Sequence, residues 1–245
     1  MTTSPTLALC MAGRYRRFAN AGYTTPKFLL TVQGRTILEA IAGELAEGPV
    51  LLVANQADRP HETAIVDAMR RAGVEPILHW TPDTSGQAET AAIAARAALD
   101  AGLDGPLVLH NVDTILYGRS LGRIGATLGR VDGFIDVFPN DSAAYSYVEL
   151  VPEDGLHRVV RIAEKVVISA HATTGLYGFR SPQAYLDFAE RTTHRSGGEF
   201  YVSDVYRTML EHDAFVAAEP PTPGSRTVVL GTPSEYEAWI ATHGV

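Results

Sequence analysis

Four cations crowd one short stretch of an otherwise acidic chain: Arg14, Arg16, Arg17 and Lys27. They follow the apolar run Leu7 to Met11 and the small residues Ala12 and Gly13. A glycine at the end of such a run lets the backbone approach a ligand closely, and exposed amides there can cradle phosphate oxygens. Guanidinium groups offer a planar fork to phosphate, and an ammonium offers a compact point charge. Together they suit a triphosphate whose leaving group is pyrophosphate. A solvated basic loop would have the same composition. Two further runs end on side chains of compatible chemistry. Pro76 to Trp80 leads to Asp83, Thr84, Ser85, Gly86 and Gln87. Gln87 carries both a donor and an acceptor and can tell a pyrimidine edge from a purine edge. Asp83, Thr84 or Ser85 would equally serve to cap the following helix. Leu107 to His110 leads to Asn111 and Asp113. A carboxylate at a strand end is where a hard cation such as Mg²⁺ would be held among phosphates, and an Asx turn uses the same residue types. His110 reads as part of the strand rather than as a ligand.

These groups need a frame, and the apolar pattern supplies one. Leu7 to Met11, Val50 to Ala54, Pro76 to Trp80, Leu107 to His110 and Gly133 to Phe138 read as buried strands. Longer segments with helical spacing lie between them. Thr36 with Glu39 forms a capping signature ahead of Ile37, Leu38, Ile41 and Leu45. Arg59 to Ala72 ends at Gly73, and the alanine-rich stretch Gly86 to Ala101 ends at Gly102. The second half is less regular: Tyr147 to Val151 and Arg158 to Ile162 flank an acidic turn like a hairpin, and Thr174 to Phe179 is a further strand. Pro182 to Thr192 and Val202 to His212 read as helices, Val228 to Gly231 as a late strand, and a terminal helix starts near Ser234. Alternating strands and helices imply an α/β, Rossmann-like three-layer sandwich around a mixed, mainly parallel sheet, with a more antiparallel second half. The expectation is one domain over residues 1–245, with residues 1–115 mainly binding nucleotide and 116–245 mainly binding the acceptor. In such sheets ligands sit beyond the carboxyl ends of the strands, where the groups above lie.

Composition narrows the function further. The chain has 245 residues, 46% of them hydrophobic and 20% charged, which excludes a disordered chain. Its formal net charge of −8 argues against a nucleic-acid partner. No apolar run approaches the roughly 18 residues that span a bilayer, and Met1 to Pro5 lack a basic leader region, so neither membrane nor export is expected. A lone cysteine, Cys10, fits a reducing cytoplasm. No apolar stripe demands an oligomer.

In order along the chain, these elements resemble the sugar-1-phosphate nucleotidyltransferase family, with its GT-A-like fold. Met11-Ala12-Gly13, Arg17-Phe18 and Pro26-Lys27-Phe28-Leu29 resemble its signature loop. The resemblance implies that Ala12, Gly13, Arg17 and Lys27 hold the triphosphate, with Arg17 and Lys27 acting at the reacting centre; Arg14, outside the signature positions, is an auxiliary nucleotide-binding residue. Tyr15 stands where the family usually has a second glycine. Thr84-Ser85-Gly86-Gln87-Ala88-Glu89-Thr90 is similar to the base-reading element, which implicates Gly86 and Gln87, with Asn111 beside the nucleotide. Asp113 takes the position of the metal ligand. Glu164-Lys165 is similar to the family's acceptor-contacting pair, Gly175 and Tyr177 lie on a strand like the one lining the acceptor pocket, and Glu199 to Asp204 resembles another acceptor element. The family's second metal ligand comes from a late strand just before a Gly-Thr pair. Here Val228, Val229 and Leu230 precede Gly231-Thr232 and none can ligate a cation, so the second protein ligand is missing or comes from elsewhere, with Asp204 the candidate to test.

What the resemblance implies is a Mg²⁺-dependent transfer of a nucleotide from a nucleoside triphosphate to a phosphorylated small-molecule acceptor, with release of pyrophosphate. Sugar-1-phosphates are the default acceptors; a capsule-associated subgroup uses a cytidine nucleotide and a phosphorylated non-sugar acceptor. Two rival readings are a GT-A glycosyltransferase, for which Asn111-Val112-Asp113 is an imperfect D-x-D, and a catalytically silent nucleotide-binding module.

Overall fold

Every apolar run of the first half becomes a strand within one residue of its expected ends. The structure is a computed structural model that describes residues 4–193 and 198–244; Met1 to Thr3 of the N-terminal segment lie outside the described residues. In chain order the first half comprises β1 (Thr6–Met11), α1 (Arg16–Asn20), β2 (Thr31–Val32), β3 (Arg35–Thr36), α2 (Ile37–Leu45), β4 (Val50–Asn55), α3 (Glu62–Arg71), β5 (Ile77–Thr81), α4 (Gln87–Asp100) and β6 (Leu107–Asn111). Along β1 the side chains alternate between two cores. Leu7, Leu9 and Met11 join one with α2 and α3, while Ala8 and Cys10 join the other, where the buried alanines of α4 pack. That alternation makes three layers from one sheet. Thr36 caps α2 as expected, accepting the Glu39 amide at 3.1 Å.

The second half adds β7 (Thr114–Tyr117), α5 (Leu121–Leu128), β8 (Gly133–Pro139), β9 (Ser146–Glu153), β10 (Leu156–Glu164), β11 (His171–Phe179), α6 (Pro182–Arg191), α7 (Val202–Glu211), β12 (Val216–Glu219), β13 (Arg226–Val229) and α8 (Pro233–His243). Among the described residues, nine strands form one sheet in the order β5-β4-β1-β6-β11-β8-β12-β10-β9. It is mixed. β5, β4, β1 and β6 pair in parallel, and so do β8 and β12, whereas β11 runs antiparallel to β6 and β8, and β10 to β12 and β9. The antiparallel character therefore begins at β11, in the half where it was expected. The late strand is two residues earlier than its apolar residues suggest, because β13 pairs outside the main sheet in an antiparallel ribbon with β7. Among the described residues, no helix is long and apolar enough to cross a membrane.

One buried ion pair ties that ribbon to the sheet. Arg119 lies 3.3 Å from Asp136 on β8, and both side chains are almost fully buried. Arg119 also donates to the Tyr117 and Arg226 carbonyls, and Thr174 of β11 donates to the Asp136 carboxylate at 2.9 Å. Burial pushes the Asp136 carboxyl above its ordinary range, against the pull of Arg119. Arg119→Leu should cost about 3–5 kcal/mol in urea unfolding at neutral pH, because it strands a buried carboxylate. Without Arg119 the folded-state pKa of Asp136 rises further, so the deficit should shrink on acidification and grow as pH rises through the carboxylate range. A deficit that does not change with pH would refute this account.

Candidate active site

The loop after β1 carries the first group of candidate residues, and its backbone explains how a tyrosine replaces a glycine there. Tyr15 adopts the left-handed region at φ 34°, which costs a non-glycine residue. Its hydroxyl donates to Asp58 at 2.6 Å, anchoring the loop to the segment after β4. Burial comes first among the causes that push the Tyr15 hydroxyl and the Asp58 carboxyl up. Arg14 is also tethered, donating to Asn55 at 3.3 Å and lying 3.4 Å from Asp83. Arg16 and Arg17, by contrast, are exposed and make no side-chain hydrogen bond or ion pair among the described residues. A Cβ at Gly13 would meet nothing within 4 Å, so the space beside it is open cleft.

Lys27, on a 3₁₀ turn over Lys27–Leu29, reaches across to the end of β6. Its Nζ donates to Asp113 Oδ2 at 2.6 Å, with both side chains less than one-fifth exposed. Burial raises the Asp113 carboxyl, but the adjacent Lys27 ammonium outweighs it and the net shift is downward. His110 is fully buried, its Nε2 against the Thr114 carbonyl at 2.8 Å, and burial lowers its pKa. It is the strand residue it was expected to be.

Gln87 opens α4, and its amide donates to the Asn111 side chain at the end of β6. The expected side-chain caps are not used. Gly86 is the N-cap, and the Glu89 carboxylate reaches back instead to the Ser85 amide at 2.5 Å; Ser85, by its side chain first and its amide second, holds the Glu89 pKa down. Gly86 is required by crowding, since a Cβ there would fall 2.8 Å from the Phe200 amide nitrogen. The Ala88 amide in turn donates to the Phe200 carbonyl, locking the Gln87 loop onto the segment bearing Glu199 and Tyr201.

Across the cleft, Lys165 also sits in the left-handed region, at φ 54°. Its Nζ donates to the Tyr201 hydroxyl at 2.7 Å and lies 4.6 Å from that ring's centre. The Tyr201 hydroxyl donates onward to Glu199 at 2.5 Å. The hydrogen bond to Tyr201 is the main cause of an upward shift in the Lys165 pKa. Glu164 is held by two hydroxyls, Ser146 at 2.5 Å and Ser203 at 2.7 Å. Tyr177 is buried with its hydroxyl 3.0 Å from Thr173, and Gly175, at φ 86°, lies where the Asn111 side chain leaves no room for a Cβ.

Asp204 does not join this group. It is fully buried, lines neither of the cavities described below, and its carboxylate accepts the Tyr201 amide at 3.1 Å to cap α7. Its expected role as second metal ligand is corrected accordingly. A different acid faces Asp113. A Cβ at Gly231 would lie 3.4 Å from Asp113 Oδ2 and 3.6 Å from Glu235 Oε2. Glu235 was not singled out from the sequence, yet Thr232-Pro233-Ser234-Glu235 is a capping-box pattern that returns an acid to a helix start.

Two cavities result. One, of about 650 Å³, is lined by Ala12 to Arg17, Lys27, Asp83, Gly86, Gln87 and Asn111, among others. The other, of about 530 Å³, is lined by Tyr145, Ser146, Glu164, Lys165, Gly175, Tyr177, Tyr201 and Glu235, among others. Arg17, Gln87, Asn111, Asp113 and Glu199 line both, so the two adjoin along these residues, and Lys27, bonded to Asp113, lines the first. The first holds four cations, and the second is rich in carboxylates, with Lys165 among them.

The sequence matches no protein-family model, and no curated protein matches it. Solved structures do. A nucleoside-diphosphate-sugar pyrophosphorylase from Vibrio cholerae RC9 superposes with a TM-score of 0.82 at 24% identity, over 96% of this chain and 99% of that one. A Bacillus anthracis protein assigned as a glucose-1-phosphate thymidylyltransferase, in complex with sucrose, gives 0.76 at 13% identity, over 98% and 95%. A UDP-glucose pyrophosphorylase in complex with UDP-glucose gives 0.74 at 14%, over 99% and 98%. The chain shares the whole fold of these proteins, end to end.

Proposed function

We propose that this chain is a nucleotidyltransferase that joins a nucleoside triphosphate to a phosphorylated acceptor, by first choice a sugar-1-phosphate, and releases pyrophosphate. The observation that carries the reading is the Lys27–Asp113 pair at the seam between a cation-lined cavity and a second one holding Lys165. In this reading residues up to about 115 bind the triphosphate and the remainder binds the acceptor. An acceptor phosphate oxygen attacks the α-phosphorus; a P–O bond forms there as the bond to the bridging oxygen breaks, and pyrophosphate departs. The acceptor phosphate is already an anion, so no strong general base is needed. What the protein must do is bring two polyanions together and neutralise the charge that develops on the leaving group. Arg17 and Lys27 meet the triphosphate, Lys165 meets the acceptor phosphate, and Glu164 and Glu199 accept hydrogen bonds from acceptor hydroxyls. Gln87, braced by Asn111, reads the base.

The residues present fit Mg²⁺: Asp113 offers a hard carboxylate oxygen, and the Lys27 ammonium already sits on it as a stand-in cation. When bound, the ion would polarise phosphoryl oxygens and neutralise charge on the triphosphate. A nucleoside triphosphate substrate, abundant in the cytoplasm, supports a cytoplasmic activity in this reading. The arginines beside Gly13 favour a triphosphate over the nucleotide sugar that a glycosyltransferase would bind, since a finished nucleotide sugar lacks the pyrophosphate they would serve.

A thermal-shift panel of CTP, UTP, dTTP, GTP and ATP, each with and without Mg²⁺, tests the reading. At 100 times its Kd a ligand adds about 2.7 kcal/mol of stability. One pyrimidine triphosphate should stabilise the protein, dependent on Mg²⁺, and then support pyrophosphate release with a sugar-1-phosphate. Stabilisation by nucleotide sugars or diphosphates alone would instead favour a glycosyltransferase, and binding without turnover over a broad acceptor panel would favour a silent module.

A further inference from the structure

Two carboxylates converge on Gly231. Asp113 comes from the end of β6, and Glu235 from the first turn of α8. A single point beside the Gly231 backbone is within van der Waals reach of an oxygen from each. Any side chain at 231 would fill the gap between them. The approach is built into the chain at both ends: the Leu230 amide donates to the Asp113 carbonyl at 2.7 Å, fixing β13's exit against the β6 loop. Thr232 then fixes Glu235, its hydroxyl donating to Oε2 at 2.8 Å and accepting the Glu235 amide at 3.2 Å.

Like charges brought this close repel, and the low local dielectric of a partly buried cleft strengthens the repulsion. Lys27 compensates Asp113, but among the described residues no lysine or arginine forms an ion pair with Glu235. Helix capping accounts for the Thr232 contacts of Glu235, yet it does not require the carboxylate to face Asp113. Both acids also line the same cavity. Val229, the side chain two residues before Gly231, lines that cavity too and has no oxygen to offer.

We infer that Glu235 is the second protein ligand of the divalent cation held by Asp113, supplying from a helix start the oxygen that β13 lacks. The inference rests on the metal-assisted reading proposed above and adds a ligand to it. A carboxylate from each side of Gly231 gives a hard cation two oxygen donors and leaves its remaining positions for water and phosphate oxygens.

The test uses Mn²⁺ alone, whose free-ion electron paramagnetic resonance signal falls as it binds. Wild-type protein should take up Mn²⁺, and Asp113→Asn should lose it. Glu235→Gln, which keeps the size of the side chain and an oxygen for the Thr232 contact, should weaken Mn²⁺ binding at least ten-fold. Adding Val229→Asp to Glu235→Gln should restore much of the affinity by placing an oxygen on β13, a rescue that a pure capping role would not give. A wild-type protein that leaves the Mn²⁺ signal unchanged overturns the metal-assisted reading itself. A site emptied by Asp113→Asn but unaltered by Glu235→Gln overturns the Glu235 assignment alone.

Discussion

Lys27→Ala should lower turnover by at least ~10²-fold, the scale of losing one preorganised charge contact to a developing anion. The Lys27 ammonium lies 2.6 Å from Asp113 in a part-buried position where the two cavities meet. There it is close to whatever passes between the triphosphate and the acceptor. Asp113→Asn should cost as much, because the same point then has no anionic anchor for a cation. If the two act as a unit, the double variant should be little worse than the poorer single one. Lys27→Arg should rescue poorly, since a planar guanidinium cannot occupy the space of a compact ammonium bonded to one carboxylate oxygen. Steady-state kinetics on variants with unchanged circular dichroism measure this. Near-normal turnover in folded Lys27→Ala would remove the residue from the catalytic set.

Most of the site's frame was legible because it is local. β1, β4, β6 and β8 are runs buried on both faces, and such runs are continuous and apolar wherever a parallel sheet is covered by helices, whereas β5 is a partly exposed edge strand. The residues just beyond β1, β5 and β6 line the cleft for the same reason: a parallel strand delivers its carboxyl end, and whatever follows, to one edge of the sheet. The ribbon of β7 and β13 was harder to see. Thr114 to Tyr117 follows directly on the turn at Asp113, and its partner lies more than a hundred residues away, so nothing local marks the pairing. β12 is only four residues long, Val216 to Glu219, too short a run to read as a strand between the helix expected to end at His212 and the proline-rich loop after it.

The misassignment of Asp204 has a different origin. An acid at the third position of a helix has a full-time partner in the N-cap amide, and Tyr201 supplies that amide here. Glu235 stands at the same position in α8, where Thr232 is the cap and Gly231 leaves the carboxylate a clear path to Asp113. Two acids at the same helix-start position thus end in opposite surroundings, one sealed in the core and one lining the cleft. What separates them is the packing of distant elements against each helix, which no local pattern contains. Tyr15 makes the same point at the scale of a single torsion. Its left-handed backbone is tolerated through a hydroxyl contact with Asp58, 43 residues later in the chain.

Lys165 should show its effect on the acceptor and not on the triphosphate. Lys165→Ala is expected to reduce kcat/KM for the acceptor by at least ~10²-fold, while leaving the stabilisation by triphosphate unchanged, because Lys165 lines the second cavity and not the first. Tyr201→Phe separates charge from positioning. It keeps the ring beneath the ammonium but removes the hydroxyl that accepts from Lys165 and donates to Glu199. The loss should be roughly 10- to 150-fold, the worth of one charge-assisted hydrogen bond. The pH profile gives an independent sign. The Tyr201 hydroxyl is the leading cause of the raised Lys165 pKa, so its removal lets that pKa fall. Lys165 must be cationic to meet an anionic phosphate, so the alkaline limb of kcat/KM for the acceptor should move to lower pH in Tyr201→Phe. Lysine variants that lose triphosphate binding, or a Tyr201→Phe profile whose alkaline limb does not move, would place Lys165 outside the acceptor site. The left-handed backbone at Lys165 would then need a structural cause, because strain of this kind persists only where surrounding contacts hold it in place.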